Sequence, residues 1–546
     1  MAYRFSIIAG LLFFGFSFLA FHLYQLQLVK GGYYLAKADS ETAASESTAA
    51  NRGAIYFTDN NGNTLPAALD QEFPIIYAVP TAIKDPEQAA QTFAPILDMP
   101  VSTLAKTFGK PGDSYELLVN KADPSVAEQV SDLNVPGIYA DFEAESVYPL
   151  STVASQVLGY VGPNATNNGQ SGYYGIEGYY NSYLAAGNDL TLTIDPNIQI
   201  EAEKILDNLV TTNDATGGSV IVEDPTTGKI LAMGADPSFD PNNYGASPIA
   251  NFLNPNVQSV YEPGSIMKLL TMAAGIDSGK ITPDTTYDDK GYVEVNGAHI
   301  TNYNLTTHGP YGPNTTMTQV IEGSINTGAI WAENATGNQI YLSYLKKFGL
   351  DQKTGIDLPG EVAGNLSQLT PKAPQIDWDT AAYGQGVAVS PIELVSAVAA
   401  IANGGVLMRP YLNAALQPQE IRRVISTSTA AQVTQMAVDA VDLAQVANTN
   451  GYSMAGKTGS AYIPNPNGGG YLNELTDSYI GFGPTSDPKF IAFIRLNTIP
   501  VTSLAAETVV PAWQQLAQWI INYYNIPPDR TTADVIPNCH DLICGQ

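Results

Sequence analysis

The chain has 546 residues, of which 45% are hydrophobic and 14% are charged, and Asp plus Glu outnumber Lys plus Arg by 52 to 24. A chain of this length exceeds one ordinary domain and has enough apolar residues for one large core and a smaller one. The net charge of -28 gives a surface that repels nucleic acid and anionic lipid, so we expect no nucleic-acid partner.

The histidines and cysteines give no sign of a metal site. The four histidines are scattered, and no His-Glu-x-x-His pattern or His/Cys cluster occurs at metal-ligand spacing. A zinc hydrolase and a Ser-His-Asp triad are therefore poorly supported, and we expect neither a metal nor a cofactor. Cys539 and Cys544 lie close together near the end of the chain, where they either close a small disulfide or stay free.

The N-terminal segment carries a hydrophobic run. Residues 5–21 are uncharged, which is near the short end for a bilayer-spanning helix and longer than a typical signal-peptide core. No small-x-small cleavage site follows directly, so the run predicts an uncleaved transmembrane anchor at residues 5–23. Residues 1–4 would then be cytoplasmic. The flanking charges, Arg4 and Lys30, say almost nothing about orientation, which rests on the function inferred below.

Residues 24–188 are a mixture of short elements rich in Ala, Gly, Asn and Tyr, and they predict a mixed α/β pedestal domain. Within it, residues 51–63 are strand-like and end in an Asn-Gly hairpin signal. Residues 172–180 form a Gly/Tyr-rich turn that leads to a short helix. We interpret that turn as a domain connection without a catalytic role.

Residues 189–530 predict an α+β domain, an antiparallel sheet flanked by helices, followed by a C-terminal tail at 531–546. Asp195 ends an alternating strand at 190–195 and caps a helix whose first residue is Pro196. Another helix begins at the Ser390 to Glu393 capping box. Further predicted strands span residues 219–223, 229–235, 452–461, 478–483 and 490–497, and the last helix spans 511–524. Because strands lie at both ends of this region, one sheet must join distant segments of the chain.

A possible nucleophile lies at the start of an apolar run. Pro263 and Gly264 indicate a turn, and the following residues predict a buried helix that opens at Ser265. Residues three apart share a helix face, so Lys268 should lie beside Ser265. A desolvated lysine can remove the hydroxyl proton and activate the serine. Taken alone, however, Ser-x-x-Lys is a common pattern.

Two further motifs follow in order. Ser324-Ile325-Asn326 comes first, and Lys457-Thr458-Gly459-Ser460 follows on a predicted strand. Each is weak singly, since Ser-x-Asn is usually a turn and Lys-Thr-Gly a strand edge. Together with Ser265 and Lys268 they form the set found in penicillin-binding proteins and class A β-lactamases.

The chain resembles a class B penicillin-binding protein, a monofunctional peptidoglycan D,D-transpeptidase, over nearly its whole length. Within that family, residues 237–242 and 261–265 are more similar to the division-type than to the elongation-type enzymes. Ser460 stands where Thr is commoner, and Ile325 where a small or polar residue is frequent. Beyond the three motifs, the resemblance rests on the apolar N-terminal run, Arg52-Gly53, Gly175-Ile176-Glu177, residues 192–195, residues 227–233, Gly384-Gln385-Gly386 and residues 455–459.

The resemblance implies a serine acyl-enzyme. Ser265 would attack the penultimate D-alanine carbonyl of a stem peptide, with Lys268 as its base, and an amine of a second stem peptide would accept the acyl group. Ser324 would relay the proton to the leaving amine. Asn326 would hold Lys268 and the substrate amide. The remaining implied groups are Lys457, Thr458, Gly459 and Ser460 for the substrate carboxylate, the N–H groups of Ser265 and Ser460 for the oxyanion, and Gln385, near the site without a definite role.

Three alternatives remain at this point. A D,D-carboxypeptidase would differ only in the acyl acceptor, a β-lactamase would need an efficient deacylating base, and a non-catalytic wall-synthesis scaffold would not need three intact motifs. The resemblance also implies inhibition by β-lactam antibiotics. It further implies an extracytoplasmic catalytic domain on a single-pass membrane protein, and a pedestal that meets a polytopic glycosyltransferase and other cell-wall or divisome membrane proteins.

Overall fold

The computed structural model describes residues 52–164, 169–465, 467–501 and 504–530. The predicted anchor at 5–23 and the tail that contains Cys539 and Cys544 lie outside these residues. Among the helices that are described, none is both long and apolar enough to cross a membrane.

The N-terminal part is built on a small mixed sheet. The predicted hairpin is confirmed: β1 (Ile55–Thr58) pairs antiparallel with β2 (Thr64–Ala78) around the Asn61-Gly62 turn. The strands that complete this sheet are β3 (Glu116–Val119), β4 (Ile138–Val147) and, after the separate hairpin of β5 (Tyr160–Pro163) and β6 (Gln170–Tyr173), β7 (Leu190–Thr191).

Short helices cover this sheet and connect it to the rest of the chain. They are α1 (Pro86–Leu97), α2 (Val101–Phe108), α3 (Pro124–Leu133), α4 (Ser155–Leu158), α5 (Gly175–Tyr179) and α6 (Asn181–Ala185). Phe93 and Phe108 lie in a separate outer core, whereas Ile55, Phe57 and Ile176 share one core with the C-terminal part. The base of the N-terminal part is therefore fused to the larger domain by packing.

The C-terminal part is organised around an antiparallel sheet. Within the described residues its order is β16 (Ala455–Pro464), β17 (Tyr471–Gly483), β18 (Phe490–Pro500), β8 (Gly217–Glu223) and β9 (Ile230–Asp236). Ile221 of β8 pairs with Phe493 of β18, which confirms that one sheet joins distant segments. The smaller pairs are β10 (Thr286–Asp289) with β13 (Gly312–Thr316), β11 (Tyr292–Val295) with β12 (Ala298–Thr301), and β14 (Val406–Met408) with β15 (Glu420–Arg423).

Helices cover both faces of this sheet, as the sequence predicts. One face packs against α7 (Pro196–Thr212) and α17 (Val509–Tyr523). The other face packs against a larger helical layer that includes α9 (Met267–Asp277) and α15 (Pro391–Ala402). The remaining helices are α8 (Pro255–Gln258), α10 (Leu305–His308), α11 (Met317–Glu322), α12 (Asn326–Thr336), α13 (Asn338–Lys347), α14 (Gln375–Ala381) and α16 (Thr427–Ala444).

Local signals explain several helix starts, but several boundaries differ from expectation: the strand predicted at 478–483 begins at Tyr471, and the strand predicted at 452–461 spans Ala455–Pro464. Asp195 caps α7 through the N–H groups of Asn197 and Ile198, and Ser390 with Glu393 forms the predicted capping box of α15. The strand predicted at 190–195 is limited to β7, because the next residues pair with another segment: Leu192 bridges Asn413, and the Thr193 N–H donates to the Leu412 carbonyl. Ser265 does not open an α-helix directly. It lies in a 3-10 turn, Gly264–Ile266, that leads into α9.

A buried ion pair ties the start of β1 to α5. The Arg52 Nε donates to Glu177 Oε2 at 2.8 Å, and the Tyr148 hydroxyl donates to Glu177 Oε1 at 3.1 Å. Only 10% of the Arg52 side chain and 2% of the Glu177 side chain are exposed. Burial raises the pKa of Glu177, and Arg52 acts against that effect. The turn at 172–180, which the sequence presents as a plain connection, therefore carries a structural anion.

We expect Arg52→Met to lower the free energy of unfolding by about 3–5 kcal/mol, because Glu177 would remain buried and charged without its partner. Denaturant unfolding of the full-length protein in detergent measures this change. Adding Glu177→Gln should recover part of the loss. Lys110→Met, which breaks the exposed ion pair with Glu116, should cost no more than about 1 kcal/mol. Equal losses in the two single variants would contradict this interpretation.

Candidate active site

Ser265 is held in a turn that is pressed between two other segments. Gly264 has φ +57, and a Cβ there would lie 2.6 Å from the Ser460 carbonyl oxygen, so only glycine fits. The Gly264 N–H also donates to the Gly384 carbonyl at 3.1 Å. The turn is therefore fixed against β16 on one side and the Gly384 loop on the other, with the Ser265 side chain half-buried.

Lys268 lies one helical turn after Ser265 and is 0% exposed. Its Nζ is 2.9 Å from Ser265 Oγ and 2.8 Å from Asn326 Oδ1. It also lies 2.5 Å from the Ser324 carbonyl oxygen and 3.2 Å from Ser324 Oγ. Burial, and secondarily the charge of Lys457, hold the pKa of Lys268 well below its usual value. The environment therefore favours the neutral amine.

The partners of Lys268 set the direction of its lone pair. A neutral amine has two N–H donors and one lone pair. The Ser324 carbonyl and Asn326 Oδ1 only accept hydrogen bonds, so the two N–H groups must point at them. The lone pair is then left for a hydroxyl proton, and the closer hydroxyl is that of Ser265. This is the arrangement that a general base for serine requires.

Ser324 connects the two lysines. Its Oγ lies 3.2 Å from Lys268 Nζ and 3.0 Å from Lys457 Nζ. Its backbone has φ +50, an unusual value for a residue with a side chain, and both its carbonyl and its hydroxyl face Lys268. A continuous polar path therefore runs from Ser265 through Lys268 and Ser324 to Lys457.

Lys457 lies on β16, the edge strand of the sheet, and is 5% exposed. Its Nζ donates to Thr458 Oγ1 at 3.2 Å as well as to Ser324. Burial lowers the pKa of Lys457 to about 7, so the amine is partly charged at neutral pH. The structure thus brings Lys457 and Thr458 to the same polar path as Ser265.

Gly459 and Ser460, the next two residues of this motif, are not hydrogen-bonded to Lys457 or Ser324 in the described structure. A Cβ on Gly459 would lie 2.5 Å from Ser478 Oγ and 2.6 Å from the Pro263 carbonyl oxygen, so Gly459 allows β16 to pack against the Gly264–Ile266 turn. Ser460 is exposed, and its hydroxyl donates to Asp477 Oδ1 at 2.6 Å. Its proton is therefore directed away from any substrate carboxylate bound along β16. The Ser460 hydroxyl would have to rotate to receive one.

Gln385 lies in the same loop as Gly384, beside the Gly264–Ile266 turn that carries Ser265. Its side chain is half-buried, and its backbone N–H donates to the Thr380 carbonyl at 3.0 Å. It makes no side-chain hydrogen bond to the Ser265, Lys268 and Ser324 group in the part of the chain described. Within the same residues, no three His, Cys, Asp or Glu side chains are grouped to hold a metal ion.

Two carboxylates near the site carry no sequence signal. Asp477 accepts from Ser460 and, at 2.9 Å, from the Thr508 hydroxyl. Asp289 is bonded to Thr327, the residue after Asn326, although 38 positions separate the two in the sequence. The register of β16 with β17 places Ser460 opposite Asp477, and nothing in the local sequence of either strand indicates that register. No motif surrounds Asp289.

Comparisons with known proteins cover most of the chain. Residues 218–509 match the penicillin binding protein transpeptidase domain, and residues 47–204 match the penicillin-binding protein dimerisation domain. Stage V sporulation protein D of Bacillus subtilis is 30% identical over 494 residues, which cover 82% of this chain and 74% of that protein. The peptidoglycan D,D-transpeptidase FtsI of Escherichia coli is 25% identical over 98% of this chain and 94% of its own.

Solved structures show the same fold. Penicillin binding protein 2X from Streptococcus thermophilus superposes with a TM-score of 0.73 at 21% identity, covering 87% of this chain and 80% of that one. Penicillin binding protein 3 from Mycobacterium tuberculosis, complexed with aztreonam, superposes with a TM-score of 0.66 at 23% identity, covering 88% of this chain and 98% of that one.

We expect Lys457→Met to stabilise the protein, most strongly at low pH. The folded pKa of about 7 lies below the unfolded value near 10.4, so burial of the charged amine costs stability below pH 7. Between pH 7 and about pH 10 the unfolded state binds more protons, and this cost disappears as pH rises. At roughly 1.4 kcal/mol per pKa unit, the gain at pH 6 should reach several kcal/mol, less the lost hydrogen bonds.

Urea unfolding at pH 6 and pH 9 measures the difference between the variant and the wild type. Lys204→Met removes a lysine that is 70% exposed and serves as the control, with a small difference that is the same at both pH values. A Lys457→Met protein that is less stable at pH 6, or whose gain does not shrink at pH 9, would contradict the expectation.

Proposed function

This chain belongs to the penicillin-binding protein transpeptidase family, in its class B form, and we propose that it cross-links peptidoglycan stem peptides through an acyl-enzyme on Ser265. The observation that carries this proposal is the contact of a buried, uncompensated Lys268 amine with the Ser265 hydroxyl at 2.9 Å. A serine becomes a nucleophile only when a base takes its proton, and this amine has its lone pair free for that proton.

In the proposed acylation step, Lys268 takes the proton of Ser265 while Oγ attacks the carbonyl carbon of the penultimate D-alanine. The carbonyl π pair moves to oxygen, and the backbone N–H groups of Ser265 and Ser460 donate hydrogen bonds to this negatively charged oxygen. When this intermediate collapses, the peptide C–N bond breaks and D-alanine leaves as the free amine. The proton held by Lys268 reaches that amine through Ser324, whose Oγ lies 3.2 Å from Lys268 Nζ.

The second step reverses the proton path. An amine of a neighbouring stem peptide attacks the acyl carbonyl and gives up a proton towards Lys268. The ester C–O bond breaks, and Ser265 recovers its proton. In the first step, Lys457 and Thr458 bind the carboxylate of the terminal D-alanine, which departs with that residue. The Asn326 Oδ1 accepts a hydrogen bond from Lys268, and the Asn326 side chain also hydrogen-bonds the substrate amide. Among the described strands β16 pairs only with β17, and its opposite edge would receive the extended peptide.

The same nucleophile accounts for inhibition by β-lactams, whose strained amide takes the place of the peptide bond. A β-lactamase would also need a base for water. In the part of the chain that the structure describes, no carboxylate is hydrogen-bonded to Ser265 or Lys268, which disfavours that alternative. A D,D-carboxypeptidase differs from this proposal only in the use of water as acceptor.

The cellular setting belongs to the same proposal. Residues 5–23 anchor the chain, with residues 1–4 in the cytoplasm and the catalytic domain at 189–530 outside, where peptidoglycan is built. The N-terminal domain at 24–188 contacts a polytopic glycosyltransferase and other divisome membrane proteins. Residues 237–242 and 261–265 support a division-type role, and the similarity to a sporulation protein is consistent with it.

We expect Ser265→Ala to abolish labelling by a fluorescent penicillin, because no other hydroxyl among the described residues lies as close to the Lys268 lone pair. Gel fluorescence of the full-length protein measures labelling, and thermal unfolding checks the fold. Ser343→Ala, on the exposed surface of α13, should label normally. With a defined stem-peptide donor, added amine acceptor should give cross-linked product in wild type only. Labelling of Ser265→Ala would refute the nucleophile assignment, and hydrolysis without cross-linking would favour the carboxypeptidase.

A further inference from the structure

Asp289 is a buried carboxylate behind the Ser-x-Asn motif. It is 1% exposed and lies at the end of β10, outside the group that touches Ser265. Its Oδ1 accepts from the Thr327 hydroxyl at 2.5 Å and the Gly291 N–H at 3.1 Å. Its Oδ2 accepts from the Tyr311 N–H at 2.8 Å. Such a set of donors around one carboxylate is a polar network whose members orient each other.

Asn302 joins this network to the first turn of α12. Its Nδ2 donates to both carboxylate oxygens of Asp289 at 3.2 Å, and its Oδ1 accepts from the Thr327 N–H at 3.0 Å. Asn302 is 2% exposed and Thr327 is 3% exposed, so water does not compete for these bonds. Asp289 therefore fixes the position of Asn302 relative to the first turn of α12.

The residue before Asn302 contacts the active site through its backbone. The Thr301 carbonyl accepts a hydrogen bond from Asn326 Nδ2 at 3.1 Å. This contact decides which way the Asn326 amide is turned, because a carbonyl can receive only the NH2 side. Asn326 Oδ1 is thereby directed at Lys268, at 2.8 Å.

The orientation of that amide matters for the base. With Oδ1 towards Lys268, one N–H of the neutral amine is occupied and the lone pair is directed to Ser265. With the amide turned over, its NH2 group would face Lys268 and would compete with the Ser265 proton for the lone pair. A network that holds the Thr301 carbonyl in place therefore holds the base in its productive arrangement.

We propose that Asp289 is a positioning residue for acylation: through Asn302 and the Thr301 carbonyl it fixes the amide orientation of Asn326, and so the direction of the Lys268 lone pair. This inference rests on the proposed function of Ser265 and Lys268. In the described structure, Asp289 is not hydrogen-bonded to Ser265, Lys268 or Ser324. The substitution Asp289→Asn would place an NH2 group next to N–H and O–H groups that now donate to the carboxylate. It would therefore weaken the hydrogen bonds that position Asn302.

The test is a double-mutant cycle on the acylation rate constant at saturating β-lactam, with the full-length protein in detergent. Asp289→Asn should lower this constant about 10- to 100-fold, the scale that misplacement of a catalytic group produces. Asn326→Ala should also lower it. If Asp289 acts through Asn326, then Asp289→Asn should change the rate by less than about 2-fold in the Asn326→Ala background. Multiplicative losses would overturn the proposal.

Two further variants keep the test decisive. Thr327→Val removes one hydrogen-bond donor to Asp289 and should lower the acylation rate constant by a smaller factor. This effect should also disappear in the Asn326→Ala background. The variant replaces Asp289→Asn in the test if Asp289→Asn does not fold. Asp195→Asn changes a carboxylate that is 2% exposed at the start of α7, across the sheet, and should lower the melting temperature while acylation stays within about 3-fold. A rate loss in Asp195→Asn equal to that of Asp289→Asn would indicate general loosening and refute the specific role.

The outcome also separates this inference from the proposed function. If wild type is not acylated at Ser265, the proposed function fails before any variant is compared. If wild type is acylated and Asp289→Asn matches it, only the role of Asp289 fails.

Discussion

A lysine amine buried without a carboxylate partner is the constraint on which the site depends. In the described structure Lys268 makes hydrogen bonds to Ser265, Ser324 and Asn326 but no ion pair. A charged amine in such a place is penalised by lost hydration, so the proton is held weakly. Lys457, at the other side of Ser324, adds to that effect. Burial of this amine therefore costs stability wherever the unfolded chain would carry it charged.

Holding this arrangement needs three distant segments in one place. The Gly264–Ile266 turn, the Ser324 backbone and β16 come from distant parts of the chain, and the sheet in which β8 pairs with β18 joins the two ends of this domain. Gly264 and Gly459 permit the close approach, since a Cβ at either would collide with neighbouring backbone. The polar path is then a consequence of sheet closure. Among the described strands, β16 pairs only with β17, so it forms one edge of this sheet.

Much of this could be predicted because some signals are local. The Asp195 and Ser390 caps, the hairpin at Asn61-Gly62 and the three motifs all depend on residues close in sequence. What escaped prediction depends on distant pairing. The contacts of Glu177 with Arg52 and of Asp289 with Thr327 join residues that come together only in the folded chain. An isolated acidic residue in a segment without periodicity resembles any solvated side chain, so burial and partner were both invisible.

The most direct test of the central claim is the titration of Lys268 itself. Lysines labelled at Cε with ¹³C report amine protonation by NMR, the missing signal of Lys268→Arg assigns the resonance, and Lys457→Met removes the coupled neighbour. We expect Lys268 to titrate well below the usual lysine pKa, because burial and the neighbouring Lys457 both disfavour its charged form. A Lys268 signal that titrates at or above about pH 10 would mean that the amine is an ordinary cation, and the proposed base would be wrong.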